Sequence, residues 1–184
     1  MEELNKLLAK HVDEGRFPGI QWQINIRDKT YYGKVGYNNI ENKAPVLDNT
    51  IYRIWSMTKP VVAVAALQLL EQNKIQLDDL VTEYLPEFSN LKVLKNTDCS
   101  IDDVEDLRIS PTIKDLFMHT AGFSYNFLAD PVGRQYDKIK LFHSDTTTLE
   151  EEIDKLAEVP LLYQPKTKWV YSVSMDVLGR ILEV

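Results

Sequence analysis

A short polar segment followed at once by a strongly apolar run constrains this chain more than any other feature. Ser56-Met57-Thr58-Lys59 stands directly before Pro60 and the apolar run from Val61 to Leu70. Proline is tolerated in the first turn of a helix, where its missing N–H leaves no hydrogen bond unmade. A helix that is apolar on nearly all sides is typically buried in a core. We therefore expect a central buried helix with Ser56 and Lys59 at its N-terminal mouth.

The spacing of Ser56 and Lys59 places their side chains on one helical face. A serine hydroxyl needs a base beside it to act as a nucleophile, and lysine can be that base only if its pKa falls from about 10.4 toward neutrality. Burial and the positive end of a helix both lower a lysine pKa. The alternative is a serine that caps the helix and a lysine on the surface, and the tetrapeptide alone does not decide between them.

Composition limits the classes of function. The chain has 184 residues, of which 44% are hydrophobic, enough for one domain with a core. Its net charge of -7 argues against a nucleic-acid partner, and its longest apolar run is too short to span a membrane. The single cysteine, Cys99, allows no internal disulfide. The first residues show no pattern of a secretory signal, so we expect a cytoplasmic location, or a periplasmic or secreted one if the N-terminus has been trimmed.

Periodicity predicts the first elements of the chain. Apolar residues at helical spacing from Leu4 to Val12 predict an amphipathic helix. Alternation from Ile20 to Ile26 predicts a half-buried strand, and a turn at Asp28-Lys29 returns the chain as a second strand from Tyr31 to Tyr37. A strand-like segment, Ile51 to Trp55, precedes the central helix.

Capping signals predict four later helices. They run from Leu77-Asp78-Asp79 to Leu85, from Thr112 to Met118 with Gly122 in the closing position, from Thr148 to Glu158, and from Met175 to Val184 with Ser174 as the cap. Between the first two of these helices, residues 96–110 are rich in aspartate and glutamate. This composition fits either a metal-binding loop or a solvated acidic insertion. The lack of a glycine for the sharp turn of a calcium loop favours the insertion, so we expect no metal.

Tyr171-Ser172-Val173 follows a turn and precedes the last helix, a place where side chains can point into a cleft. A tyrosine hydroxyl near a lysine ammonium can be held partly deprotonated and can pass a proton to a leaving group. Taken alone, Tyr171 fits a core tyrosine bonded to the backbone better.

Five ordered stretches together resemble the serine β-lactamase and penicillin-binding-protein superfamily, in particular the class C β-lactamase branch with its family VIII carboxylesterases. They are Asp48-Asn49-Thr50, Tyr52 to Pro60, Leu77-Asp78-Asp79 with Tyr84-Leu85-Pro86, Leu116 to Phe123, and Gln164-Pro165 through Ser172. The resemblance implies an α+β fold in which a helical region packs on an antiparallel sheet, with no cofactor. It covers nearly the whole chain.

The same resemblance implies a role for each site residue. Ser56 would be the acylated nucleophile, Lys59 the base that activates it, and Tyr171 the partner that shares or relays the proton. The Ser56 N–H would form half of an oxyanion hole. Val173 would contact substrate, but it stands where the β-lactamase pattern has asparagine, and valine offers no hydrogen bond. This departure favours ester substrates over β-lactams.

Three other residues could be taken for functional ones, or depart from the family pattern. Lys166 replaces a glycine common in the turn before Trp169, which we expect to alter only that turn. His119 lies in a structural turn of the family and is expected to be structural. Ser124 approaches a Gly-x-Ser-x-Gly elbow, but Asn126 closes the pattern and the segment follows a helix end, so we reject Ser124 as the nucleophile.

Members of this family are roughly twice as long as this chain, and their third active-site motif lies in strands for which nothing here matches. We therefore expect residues 1–184 to be the N-terminal part of a single domain with an incomplete sheet. The strand from Ile20 to Ile26 would then expose an unpaired edge and favour self-association or pairing with a C-terminal part.

Three functions stay open from the sequence. The first is a carboxylesterase that could also act on β-lactams, with a small ester or lactam as its partner. The second is a D-Ala-D-Ala carboxypeptidase or peptidase of the same mechanism. The third is a catalytically impaired fragment or a penicillin-binding protein that is not an enzyme.

Overall fold

A computed structural model describes residues 1–143 and 146–184 as two compact units, residues 1–54 and 55–184. The fold is α+β, with helices and small antiparallel sheets, as the sequence predicts. The expectation that both units belong to one domain stays a prediction. No helix within the described residues is both long and apolar enough to cross a membrane.

The first unit contains one helix and a three-stranded antiparallel sheet in the order β1-β2-β3. Its elements are α1 (Glu2–Asp13), β1 (Gly19–Ile26), β2 (Lys29–Asn39) and β3 (Ala44–Pro45). The hairpin register runs from Gly19 opposite Gly36 to Ile26 opposite Lys29. The turn is therefore Arg27-Asp28, one residue earlier than predicted, and Arg27 takes the left-handed conformation. Within the described sheet, β1 lies at an edge.

Two predictions around the central helix are wrong. The segment from Ile51 to Ile54 is irregular, because no described strand pairs with it. It leads into a single 3₁₀ turn, Trp55–Met57, and then into helix α2 (Thr58–Glu71). The helix begins where expected but is not buried on all sides. Only Ala66 is fully buried, whereas Val61 and Val64 are 62% and 56% exposed.

The second unit packs its helices around one apolar core. Helix α3 (Val81–Tyr84) is shorter than predicted, because Pro86 begins a 3₁₀ turn. The remaining elements are β4 (Lys92–Leu94), β5 (Val104–Asp106), α4 (Ile113–Phe117), α5 (Pro131–Lys138), α6 (Leu149–Ala157) and α7 (Ser174–Glu183). The core includes Phe88, Phe123, Tyr136, Leu156 and Leu178.

The acidic stretch at 96–110 includes strand β5, which its composition does not predict. Strands β4 and β5 form an antiparallel hairpin with Lys92 opposite Asp106. Lys92 binds Asp106 at 2.5 Å, and Lys95 binds Asp103 at the same distance. The strand lysines thus pair with the acidic residues, and these exposed ion pairs contribute little to stability.

The capping predictions at Thr112 and Thr148 are confirmed, since each residue forms a capping box with the acidic residue three positions later. The closing of α4 differs from the prediction. His119, not Gly122, takes the left-handed position directly after the helix, with φ of 54°. At α7 the cap is Val173, and Ser174 is already helical. The Ser174 hydroxyl instead contacts the Ser172 hydroxyl at 2.8 Å.

Candidate active site

Ser56 lies in the 3₁₀ turn that precedes α2, with its side chain exposed to solvent. The residue before it, Trp55, has φ of 47°, a left-handed conformation that a bulky side chain rarely adopts. Strained backbone of this kind is common at functional sites. The turn projects the Ser56 hydroxyl toward Lys59, which lies in the first turn of α2.

The structure brings Ser56, Lys59 and Tyr171 together, although Tyr171 is far away in the sequence. The Ser56 Oγ and the Tyr171 hydroxyl are 2.8 Å apart, and either oxygen can donate the hydrogen bond. The Lys59 ammonium donates a longer hydrogen bond to Ser56 Oγ at 3.5 Å. It also lies over the Tyr171 ring, 5.0 Å from the ring centre. The hydroxyl of Ser56, the phenol of Tyr171 and the ammonium of Lys59 therefore lie close together beside solvent.

Tyr125 belongs to this group as well, and sequence reasoning missed it. Its hydroxyl accepts a hydrogen bond from Lys59 Nζ at 3.4 Å, and its ring stacks on that of Tyr171 with the centres 5.5 Å apart. Phe127 stacks on Tyr125 with the ring centres 4.6 Å apart and lies 6.5 Å from the ring centre of Tyr171. Two aromatic residues spaced two apart just after the Gly122 turn were the available signal.

The electrostatics of Lys59 differ from the sequence expectation. Burial opposes its charge, but the hydroxyls of Tyr171 and Tyr125 and the charge of Asp176 outweigh burial, so the pKa of Lys59 is raised. For Tyr171, burial opposes the phenolate, but the Ser56 hydroxyl and the Lys59 ammonium outweigh burial and lower its pKa. The site therefore favours an ammonium on Lys59 and makes Tyr171 easier to deprotonate than an ordinary tyrosine.

His119 lies beside the site without contacting Ser56. Its ring packs against Tyr171 at 5.1 Å, and its Nδ1 accepts a hydrogen bond from the Ser172 N–H at 3.2 Å. Burial and the Lys59 charge lower the pKa of His119, which favours the neutral ring. These contacts fit a residue that holds the Tyr171 segment in place.

Ser124 and Val173 are both buried. Ser124 is fully buried and its hydroxyl donates to Asp130 at 2.6 Å, which ties it to the cap of α5. Val173 is 2% exposed and belongs to the apolar core. It does not appear among the described residues that line the cavity around Ser56. Its assignment as a substrate contact stays a prediction.

A cavity of about 280 Å³ opens beside Ser56 and Lys59. Its apolar walls include Val62, Phe142 and Met175, and its polar lining includes Thr58, Tyr125 and Asp176. A larger cavity of about 430 Å³ lies elsewhere in the second unit, lined by residues such as Glu87, Lys92 and Glu158. Only the smaller one adjoins the cluster of hydroxyls and ammonium. It has the mixed apolar and polar lining typical of small-molecule sites.

Known proteins are similar to this chain in sequence and in fold. Esterase EstB from Burkholderia gladioli is 33% identical over 163 residues, which are 83% of this chain and 38% of EstB. The structure of EstCE1, described as a hydrolase with promiscuous acyltransferase activity, is 30% identical with a TM-score of 0.77. The match covers 99% of this chain and 46% of EstCE1. A class C β-lactamase at 19% identity and a TM-score of 0.67, covering 98% of this chain and 42% of its own, shares the fold alone.

The chain spans less than half the length of the curated relatives that it matches. The Beta-lactamase family model matches residues 4–184, nearly the whole chain. This chain therefore belongs to the Beta-lactamase family.

Proposed function

We propose that the protein containing this chain is a serine hydrolase that forms an acyl-enzyme on Ser56 and acts foremost as a carboxylesterase. The observation that carries the proposal is the 2.8 Å contact between the Ser56 hydroxyl and Tyr171, with Lys59 beside both. A nucleophile within hydrogen-bond reach of a group that can take its proton is the arrangement that covalent catalysis requires.

In the proposed reaction the Ser56 oxygen attacks the ester carbonyl while its proton moves to the pair formed by Lys59 and Tyr171. The pKa directions favour Tyr171 as the group that receives the proton and Lys59 as the cation that holds the phenolate. The bond from the carbonyl carbon to the leaving oxygen then breaks, and Tyr171 returns the proton to the departing alcohol. Water repeats the same steps in reverse order to release the acid and free Ser56.

The negative charge that develops on the carbonyl oxygen during attack needs hydrogen-bond donors to stabilise it. We assign one donor to the backbone N–H of Ser56, which lies at the start of α2, where the helix dipole also favours negative charge. The relatives are longer than this chain, and we expect the second donor from the part of the protein beyond it. One missing donor typically reduces kcat by about a hundred- to a thousand-fold.

The similarity to EstB, which is an esterase, supports ester chemistry, and the similarity to EstCE1 supports a hydrolase. The promiscuous acyltransferase activity of EstCE1 also favours a second candidate, transfer of the acyl group to an alcohol instead of water. Both outcomes share the acyl-enzyme and differ only in the molecule that attacks it. A D-Ala-D-Ala peptidase or a penicillin-binding protein without turnover are the rival proposals.

Steady-state kinetics on the full-length protein test the proposal. We expect kcat/KM to be higher for p-nitrophenyl butyrate than for nitrocefin, and added primary alcohols to yield a new ester if acyl transfer competes. Ser56→Ala should abolish turnover, while Ser100→Ala, at an exposed serine away from the site, should leave it unchanged. Full activity in Ser56→Ala, or faster hydrolysis of nitrocefin than of the ester, contradicts the proposal.

A further inference from the structure

Asp176 is a half-buried acid that the proposed reaction does not use. It lies in the first turn of α7 and lines the cavity that also contains Ser56 and Lys59. Its Oδ2 atom is buried and has no hydrogen-bond partner among the described residues. Buried carboxylate oxygens are nearly always paired, because leaving one without a partner costs free energy. An unpaired acid beside the nucleophile therefore needs an explanation.

The charged groups around Asp176 leave Lys59 as the cation that acts on it. Lys59 on α2 acts on Asp176 through its charge. His119, in the segment after α4, favours the neutral ring. Helix α6 presents Glu150, which is bound to Arg180 at 2.5 Å. Arg180 lies one turn further along α7 and also binds Glu183 through its second terminal nitrogen.

The two phenols of the site complete the surroundings of Asp176. Its charge acts on Tyr171 and Tyr125, in each case against formation of a phenolate. A negative charge close to an ammonium and two phenols favours the protonated form of all three groups.

We propose that Asp176 is a positioning residue that sets the pH at which the Lys59–Tyr171 pair loses a proton and Ser56 becomes reactive; this rests on the proposed function of Ser56. The Asp176 carboxylate stabilises the ammonium and disfavours the phenolate, so the pair holds its protons more tightly. The pair must lose one proton before it can accept the proton of Ser56. Asp176 therefore shifts the acidic limb of kcat/KM toward higher pH.

Asp176 should also reduce the stability of the folded chain. Burial raises the pKa of Asp176 above its ordinary value, although the charge of Lys59 partly opposes this. A carboxyl group whose pKa is raised on folding contributes a stability that is present at low pH and is lost as the pH rises through the folded pKa. At neutral pH the charge therefore costs stability, as is common at active sites. A residue kept only for structure would have the opposite effect.

Asp176→Asn in the full-length protein separates these possibilities, because asparagine keeps the shape and removes the charge. We expect the acidic limb of kcat/KM to move to lower pH with little change in KM, and the unfolding midpoint at neutral pH to be equal to or above that of the wild type. Asp176→Glu should keep the wild-type limb. Asp154→Asn, at an exposed position on α6, is the matched control and should change neither quantity.

A second measurement needs no substrate. In protein labelled with ¹³Cζ-tyrosine, the resonance missing from Tyr171→Phe belongs to Tyr171, and in Asp176→Asn it should titrate at lower pH than in the wild type. An unchanged titration, or an Asp176→Asn variant that unfolds more easily, overturns the proposal. Absence of ester hydrolysis in the wild type would instead count against the proposed function, and the Tyr171 titration would still decide on Asp176.

Discussion

Tyr171 is the side chain on which the reactivity proposed for Ser56 depends most, because its hydroxyl makes the shortest contact with the nucleophile. Tyr171→Phe keeps the ring that stacks on Tyr125 and removes only the oxygen. Loss of a positioned acid–base group typically reduces the rate by about a hundred- to ten-thousand-fold, so we expect a loss of that order in kcat with little change in KM.

Tyr163→Phe is the matched control for this variant. Tyr163 is half-buried and carries Lys168 over its ring, 4.5 Å from the ring centre, which phenylalanine preserves. We expect wild-type kinetics from it. A Tyr171→Phe enzyme with more than a tenth of the wild-type kcat would remove Tyr171 from the proton transfer.

Val173 gives a residue-scale prediction about stability. Val173→Asn places an amide in the apolar core, and a buried polar group without a partner costs about 1–3 kcal/mol, so we expect the free energy of unfolding to fall by that amount. Denaturant unfolding measures this, with Val173→Ala as the control for lost packing. The ratio of nitrocefin to ester hydrolysis in the same variant tests the substrate contact: a rise supports it, and an unchanged ratio contradicts it.

At the scale of elements, the turn between Gln164 and Thr167 contains a strained backbone conformation at Lys166, which a substitution can relieve. Lys166 has φ of 67°, a left-handed conformation that costs a residue with a Cβ roughly 1–2 kcal/mol. Its half-exposed ammonium lies 3.9 Å from the buried carboxylate of Asp115, so the loss of this long ion pair offsets part of the gain. We expect Lys166→Gly to raise the free energy of unfolding by about 0.5–1 kcal/mol, because relief of strain exceeds the extra entropy of glycine in the unfolded chain.

Lys168→Gly is the control for Lys166→Gly, since Lys168 is not among the residues with positive φ. It should lower the free energy of unfolding through chain entropy and the lost contact with Tyr163. Equal effects of the two substitutions, measured by denaturant unfolding, would show that backbone strain at Lys166 plays no part.

The elements that the sequence predicted well are those whose signals are local. The caps at Thr112 and Thr148 and the alternation in β1 depend only on neighbouring residues. Both caps are confirmed, and the alternation holds from Ile20 to Asn25, whereas Ile26 is 50% exposed. The burial of α2 was mispredicted because composition cannot tell which partner covers an apolar helix. Helix α7 packs against one side of it, and Val61, Val64 and Leu67 stay exposed. Strand β5 was not predicted, because it forms by pairing with β4, and no local sequence pattern shows that pairing.

The candidate site divides in the same way. Ser56 and Lys59 are three residues apart, and Tyr171 follows from the family resemblance. Spacing gave no signal for Asp176 and only an aromatic pair after Gly122 for Tyr125, because the roles of both residues depend on contacts between α2, α7 and the loop after α4. Only the folded chain places them beside Lys59.

At the scale of the whole molecule, exposed pairing surfaces predict self-association. Strand β1 lies at an edge of the described sheet, and an unpaired edge is a template for another chain. The exposed apolar side chains of α2 add to this tendency. We expect the 184-residue chain to show a mass that rises with concentration in size-exclusion chromatography with light scattering.

Charge on the edge strand tests the cause of that association. Gln21 and Gln23 are exposed on β1, and lysine at an edge strand discourages pairing. Gln21→Lys/Gln23→Lys should reduce the mass at high concentration, whereas the same change at Gln72, after the end of α2, should not. A chain that is monomeric at every concentration contradicts the prediction.

The proposed function depends above all on Ser56 as the residue that carries the acyl group. Treatment of the full-length protein with a fluorophosphonate, followed by peptide mass spectrometry, tests it most directly. We expect one adduct, on the peptide that contains Ser56, its loss in Ser56→Ala and its persistence in Ser100→Ala. Labelling that survives in Ser56→Ala, or an adduct that maps to Ser124, would contradict it.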